Sequence, residues 1–136
     1  MHITATELRS LSQNILAAHG FSQEHQHSIT ETLVTAQIDQ CHSHGVWRLL
    51  GIIDTLKHGK IDATASPVVT HEQGAIIKID AKLGAATTAL ALGLPKLIAK
   101  AKQSGIALLA VNHCVHFSAL WVEVEQLTRA GLIGIN

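Results

Sequence analysis

Two short segments concentrate the polar chemistry of this chain. Cys41-His42-Ser43-His44-Gly45-Val46-Trp47-Arg48 is answered about seventy residues later by Asn112-His113-Cys114-Val115-His116-Phe117. Together they hold four of the ten histidines, both cysteines, a serine and an arginine, in a chain that is 47% hydrophobic. Imidazole titrates near neutral pH and can give or take a proton, while guanidinium offers a planar fork matched to a carboxylate. His44 and Arg48 are four residues apart at what reads as a helix entrance, so they are expected on one face about one turn apart. Ser43 can hydrogen-bond a substrate or relay a proton to His44. A plainer reading makes Ser43 a helix cap and His44 and Arg48 solvated surface residues; such short motifs recur by chance, and spacing alone leaves both readings open.

Zinc is the competing chemistry, since Cys41, His42, His44, His113, Cys114 and His116 are all chemically suited to it. The spacing is poor: Cys41 and His42 are adjacent, no Cys-x-x-Cys or His-Glu-x-x-His occurs, and His113-x-x-His116 is half a site. No metal is therefore expected. A Cys-His nucleophile lacks an orienting acid, so both cysteines read as small packed side chains. His2, His19, His25, His27, His58 and His71 read as unremarkable positions.

The elements that must position these residues follow from caps and periodicity. Thr4 and Glu7 form a capping-box pattern ahead of Leu8, Leu11, Ile15 and Leu16, predicting a helix over 5–18 closed by Gly20. Ser22 can cap a second helix running to about 39, with Ile29, Leu33, Val34 and Ile38 on one side. Val46, Leu49, Leu50, Ile53 and Leu56 predict a third, stopped at Gly59, with the Ser-His-Gly motif at its entrance. Beyond Pro67, Val68-Val69-Thr70 and Ala75 to Ile79 read as two strands around Gln73-Gly74. An alanine- and leucine-rich helix over 85–103 should be kinked or interrupted at Pro95. Residues 106–111 form an unbroken apolar run, expected as a strand covered on both faces that leads into the second histidine segment. A helix over about 118–130 and a further strand from Leu132 complete a βαβ pattern, whose ligand loops lie beyond the carboxyl ends of strands.

Composition narrows the function. One domain of 136 residues is expected, helical over about 1–60 and α/β over about 67–136. Ten basic and ten acidic residues cancel and are scattered, which argues against nucleic acid or an anionic membrane as partner. The start of the chain lacks the pattern of a signal peptide and no run is long enough to span a bilayer, so a cytoplasmic location is expected. A mean hydropathy of +0.27 with 15% charged residues predicts that some apolar surface meets other protein. Neither Gly-x-Gly-x-x-Gly nor a Walker loop is present, so any nucleotide must be bound in a non-Rossmann manner.

Taken in order, Ser43-His44-Gly45 with Arg48, Gly59, Asp80-Ala81 with Gly84, Ser104-Gly105-Ile106, His116-Phe117 and Gly131-Leu132-Ile133-Gly134 resemble the malate/L-lactate dehydrogenase family across essentially the whole chain. The stretch from Ser43 to Leu49, and His116-Phe117-Ser118-Ala119-Leu120-Trp121 with Val124-Glu125, look most like its Δ1-piperideine-2-carboxylate/Δ1-pyrroline-2-carboxylate reductases. The resemblance implies a three-layer α/β/α fold with a mixed sheet and a homodimer. It also implies NADPH, or NADH in its place, giving a hydride to the C=N carbon of a cyclic 2-imino acid. By the same resemblance Ser43 and His44 belong to a proton relay, Arg48 holds the substrate carboxylate, and His116, Phe117, Ser118, Ala119 and Leu120 belong to the cofactor site. Family members run on well past residue 136 and carry the relay aspartate there. The chain is thus expected to be an N-terminal portion with part of the site, and a complementary C-terminal fragment is a candidate partner. The alternatives are a malate, lactate or ureidoglycolate dehydrogenase, and a non-catalytic remnant that binds a partner.

Overall fold

The computed structural model of the chain describes residues 2–115 and 119–136. It is an α/β arrangement of five α-helices, one 3-10 turn and a three-stranded mixed sheet. Helix α1 (Ala5–Ala18) starts on the expected capping box, with Thr4 accepting from the Glu7 N–H at 3.2 Å and Glu7 accepting from the Thr4 N–H at 2.8 Å. Helix α2 (Gln23–Ile38) is capped by Ser22 and carries far more of the core than one stripe. His25, Ser28, Thr30, Thr32 and Ala36 are buried along with Ile29, Leu33 and Val34, because α2 packs against α1 and against the later helices α4 (Ala86–Ser104) and α5 (Trp121–Arg129). Ile38, assigned to the apolar side from sequence, is 54% exposed instead.

The 3-10 turn η1 (His42–His44) precedes α3 (Arg48–Lys57). Leu49 and Ile52 of α3 enter the helical core with Val46 and Leu56, and Leu50, expected inward, is 72% exposed. The 3.6-residue period chooses Ile52 over Leu50 once Leu49 and Leu56 face inward. Strands β1 (Val68–Gln73) and β2 (Ile76–Asp80) form the expected hairpin, with Gly74 in the left-handed region at φ 51° and an irregularity between Val69 and His71. Helix α4 (Ala86–Ser104) carries the chain back to β3 (Leu108–Asn112), which pairs in parallel with β2. Pro95 does not interrupt α4. The carbonyl that its missing N–H would have bonded belongs to Ala91, and both residues lie on the exposed side, where water can serve that carbonyl.

Ile77 and Ile79 are fully buried under α4, with Val69, Leu109 and Val111 beside them. Gly93 makes that approach close: a Cβ there would sit 2.7 Å from a Leu109 methyl and 2.9 Å from an Ile79 methyl. The opposite face, carrying Val68, Ile76 and Leu108, is exposed among the described residues. Strand β3 is therefore an edge strand open on one face, contrary to the expectation from its apolar run. Ile106 lies outside it and is 76% exposed. After α5 (Trp121–Arg129), residues 132–136 form no strand, and Ile133 and Ile135 are more than nine-tenths exposed. An apolar run becomes a strand only when its backbone finds a partner, and none reaches it here among the described residues. No helix in these residues is long and apolar enough to cross a membrane.

Candidate active site

The carboxyl end of α2 creates the first half of the site. Asp39 closes the helix, Gln40 turns the chain through φ 60°, and Cys41 donates its N–H back to the Ala36 carbonyl at 2.9 Å. Gln37 then fastens the turn that follows: its Nε2 donates to His42 Nδ1 at 2.8 Å, and its Oε1 accepts from the Val46 N–H at 3.4 Å. Gly45 is required by this fastening. A Cβ at that position would run into the Gln37 amide and lie 3.3 Å from the His42 carbonyl.

Ser43 and His44 are adjacent in η1, with Ser43 Oγ 3.0 Å from His44 Nδ1. The Cys41 sulfur lies 3.6 Å from the same nitrogen and 3.7 Å from Ser43 Oγ. The turn corrects two expectations: α3 begins at Arg48 rather than Val46, and Ser43 caps no helix. Arg48 reaches the pair by folding back, its Nε donating to the Ser43 carbonyl at 2.8 Å while the guanidinium carbon lies 5.2 Å from the Trp47 ring centroid. This leaves the guanidinium's terminal nitrogens as the end-on fork that suits a carboxylate. Ser43, His44 and Arg48 are thus brought together, through a turn and a backbone carbonyl instead of one helical face.

The second segment divides. His113 and Cys114 belong to the end of β3. His113 Nδ1 is 3.2 Å from Asp80 Oδ1, and Cys114 packs into the cluster beneath α4. The Lys82 N–H bonded to Asp80 Oδ1 is the main reason that carboxyl titrates below the usual aspartate range, with the Lys82 ammonium and His113 adding to it. Val115 pairs with Ala85 at the entrance of α4, which fixes where the chain leaves the sheet. His116, Phe117 and Ser118 lie outside the described residues. Ala119 is buried against Ala36 and Val122, and Leu120 is half exposed at the head of α5. The described part of this segment, Ala119 and Leu120, holds no cationic side chain.

Trp121 is the site residue that the chemical reading of the sequence missed. Its Nε1 donates to Asp39 Oδ2 at 3.0 Å and its ring meets the His44 imidazole edge-on, with centroids 6.1 Å apart at 71°. The signal was its place directly after the expected cofactor segment. Among the described residues no three histidine, cysteine or acidic side chains gather to hold a metal, and both cysteines are free thiols.

His25, read as unremarkable, is a fully buried bolt. The Ala85 N–H donates to its Nε2 at 3.3 Å, so Nδ1 carries the proton and donates to Ser22 Oγ at 2.9 Å. Burial lowers its pKa from the ordinary 6.5, against weaker opposing effects of Asp62 and Glu24. Gly84 belongs to the same contact, since a Cβ there would lie 2.9 Å from His25 Nε2.

Among the described residues, a mixed-sheet α/β fold carries a serine-histidine pair beside an arginine. The chain belongs to the malate/L-lactate dehydrogenase family, whose pattern it matches over residues 3–136. It is 49% identical over 99% of its length to a Δ1-pyrroline-2-carboxylate/Δ1-piperideine-2-carboxylate reductase of Pseudomonas aeruginosa, and 42% identical over 98% of its length to Δ1-pyrroline-2-carboxylate reductase 1 of Burkholderia ambifaria. It covers 40% and 39% of those two proteins. The crystal structure of Δ1-piperideine-2-carboxylate reductase from Pseudomonas syringae pv. tomato superposes with a TM-score of 0.93 at 37% identity, over 96% of this chain and 40% of that one. Malate dehydrogenase from Entamoeba histolytica shares the fold at a TM-score of 0.88 and 23% identity, over 96% of this chain and 37% of that one.

Proposed function

We propose that this chain forms the substrate end of an NADPH-dependent reductase that converts Δ1-piperideine-2-carboxylate or Δ1-pyrroline-2-carboxylate to L-pipecolate or L-proline. The observation that carries the proposal is the Ser43 hydroxyl 3.0 Å from His44 Nδ1, with Arg48 locked to the carbonyl of the same serine. With Nδ1–H of the protonated imidazole donating to Ser43 Oγ, Nε2–H is presented to the imine nitrogen, and its transfer leaves a neutral imidazole. Protonating that nitrogen makes the neighbouring carbon electrophilic, and general acid catalysis of this kind is worth about 10²–10⁴-fold. Arg48 takes the carboxylate through its terminal nitrogens, which sets the C=N group relative to His44. A bound nicotinamide would supply the hydride, and His116, Phe117, Ser118, Ala119 and Leu120 are the residues of this chain assigned to its site.

The chain spans about 40% of the length of the relatives it matches, and in this reading it supplies their N-terminal portion while the remainder completes the relay and the cofactor site. The working assembly is a homodimer, consistent with the exposed apolar side chains of Val68, Ile76 and Leu108 on the open sheet face. The test is a chimera in which residues 1–136 replace the matching segment of the Pseudomonas aeruginosa reductase. NADPH oxidation driven by either cyclic imine supports the assignment, and turnover of oxaloacetate or pyruvate with none of the imines refutes it.

A further inference from the structure

Trp121 has three connections that a surface tryptophan has no reason to make together. Its indole N–H is bonded to the carboxylate of Asp39 at the end of α2, its ring stands edge-on to His44, and its backbone opens α5. The base of that helix is itself seated on α2, since Ala119 and Val122 pack on Ala36. A ring held at its polar atom and its backbone, and in contact with a second ring, has little rotational freedom left, and it can impose an orientation on what it touches. What it touches is the imidazole whose other side is held by Ser43 and Cys41.

We propose that Trp121 is a positioning residue for His44: Asp39 fixes the indole, and the indole fixes the plane of the imidazole. The proposal rests on the reading of His44 as the proton donor. Trp121 follows Ala119 and Leu120 directly in the chain, so the residue in contact with His44 adjoins the proposed cofactor segment.

The test has a structural and a kinetic arm. In the 136-residue chain, NMR of the His44 ring protons should show a ring-current displacement that is lost in Trp121→Ala and altered in Asp39→Ala. In the chimera described above, Trp121→Ala should lower kcat by about 10- to 100-fold, the order expected from misplacing a catalytic group, with KM for the imine within about twofold. Trp121→Phe and Asp39→Ala should each fall between wild type and Trp121→Ala. Asp39→Asn keeps an accepting carbonyl and should restore kcat to near wild type. His44 resonances that do not respond to Trp121→Ala overturn the proposal, as does an unchanged kcat or a loss expressed only in KM. If the parent chimera reduces no imine, the functional reading fails, and the NMR arm by itself still decides whether Trp121 orients His44.

Discussion

Replacing His25 by alanine removes a fully buried ring and both of its hydrogen bonds. Ser22 Oγ keeps its bond from the His25 backbone N–H, but the Ala85 N–H loses its acceptor in a buried position. An unpaired buried donor costs about 1–3 kcal/mol, and the vacated ring volume brings the total to about 3–5 kcal/mol. At roughly 4 °C per kcal/mol for a chain of this size, the melting temperature should fall by about 12–20 °C at pH 8. The pH dependence adds a second readout. Burial holds the folded-state pKa of His25 below 6.5, so above pH 6.5 neither folded nor unfolded chain protonates it and its contribution is complete. As pH falls below 6.5 the unfolded chain binds a proton that the folded chain refuses, and stability declines by up to about 1.4 kcal/mol per pH unit until the depressed folded value is reached. Urea melts of wild type and His25→Ala from pH 8 to 5 isolate this term by difference, because other groups titrate in both proteins. A melting-temperature loss under about 4 °C, or identical acid slopes in the two proteins, would refute the assignment of His25 as a neutral, doubly bonded bolt.

Other positions give independent checks. Arg48→Ala in the chimera should raise KM for the imino acid by about 10- to 100-fold, from the loss of charge-assisted hydrogen bonds, with a smaller change in kcat; steady-state kinetics measure both. His44→Ala should lower kcat by about 10²-fold or more at unchanged fold, read by activity alongside circular dichroism. Gly45→Ala displaces the Gln37 amide from between His42 and Val46, so kcat should drop by about 10-fold while the melting temperature moves little. Gly93→Ala forces α4 away from Leu109 and Ile79 and should cost about 1–3 kcal/mol in denaturant melts without a selective effect on substrate binding.

The helices and the hairpin were legible because caps and periodicity are local signals. Thr4 with Glu7, Ser22 ahead of α2, and Gly74 between two β-rich runs each announce an element from within a few residues. What could not be read locally was whatever depends on distant partners. His25 looked like any helix histidine because its acceptor role is defined by Ala85, sixty residues away. The run at 106–111 looked like a strand covered on both sides because its composition is apolar; coverage is decided by neighbours that the strand itself does not encode. In the candidate site, residue types pointed to Ser43, His44 and Arg48, and the three do lie together, but not on one helical face. A 3-10 turn fastened by Gln37 and a guanidinium bonded to the Ser43 carbonyl bring them together instead. Trp121 escaped chemical notice since its value lies in contacts with Asp39 and His44, both more than seventy residues earlier in the chain.

Residues 1–136 are proposed to carry the substrate end of a cyclic-imine reductase. The most direct test of this proposal is the rate of NADPH oxidation by the chimera bearing this chain, measured with Δ1-piperideine-2-carboxylate and with oxaloacetate, before and after His44→Ala. Turnover of the imine is expected, collapsing with the histidine, and little or no turnover of the keto acid. Turnover of oxaloacetate without the imine, or imine reduction indifferent to His44, would contradict it.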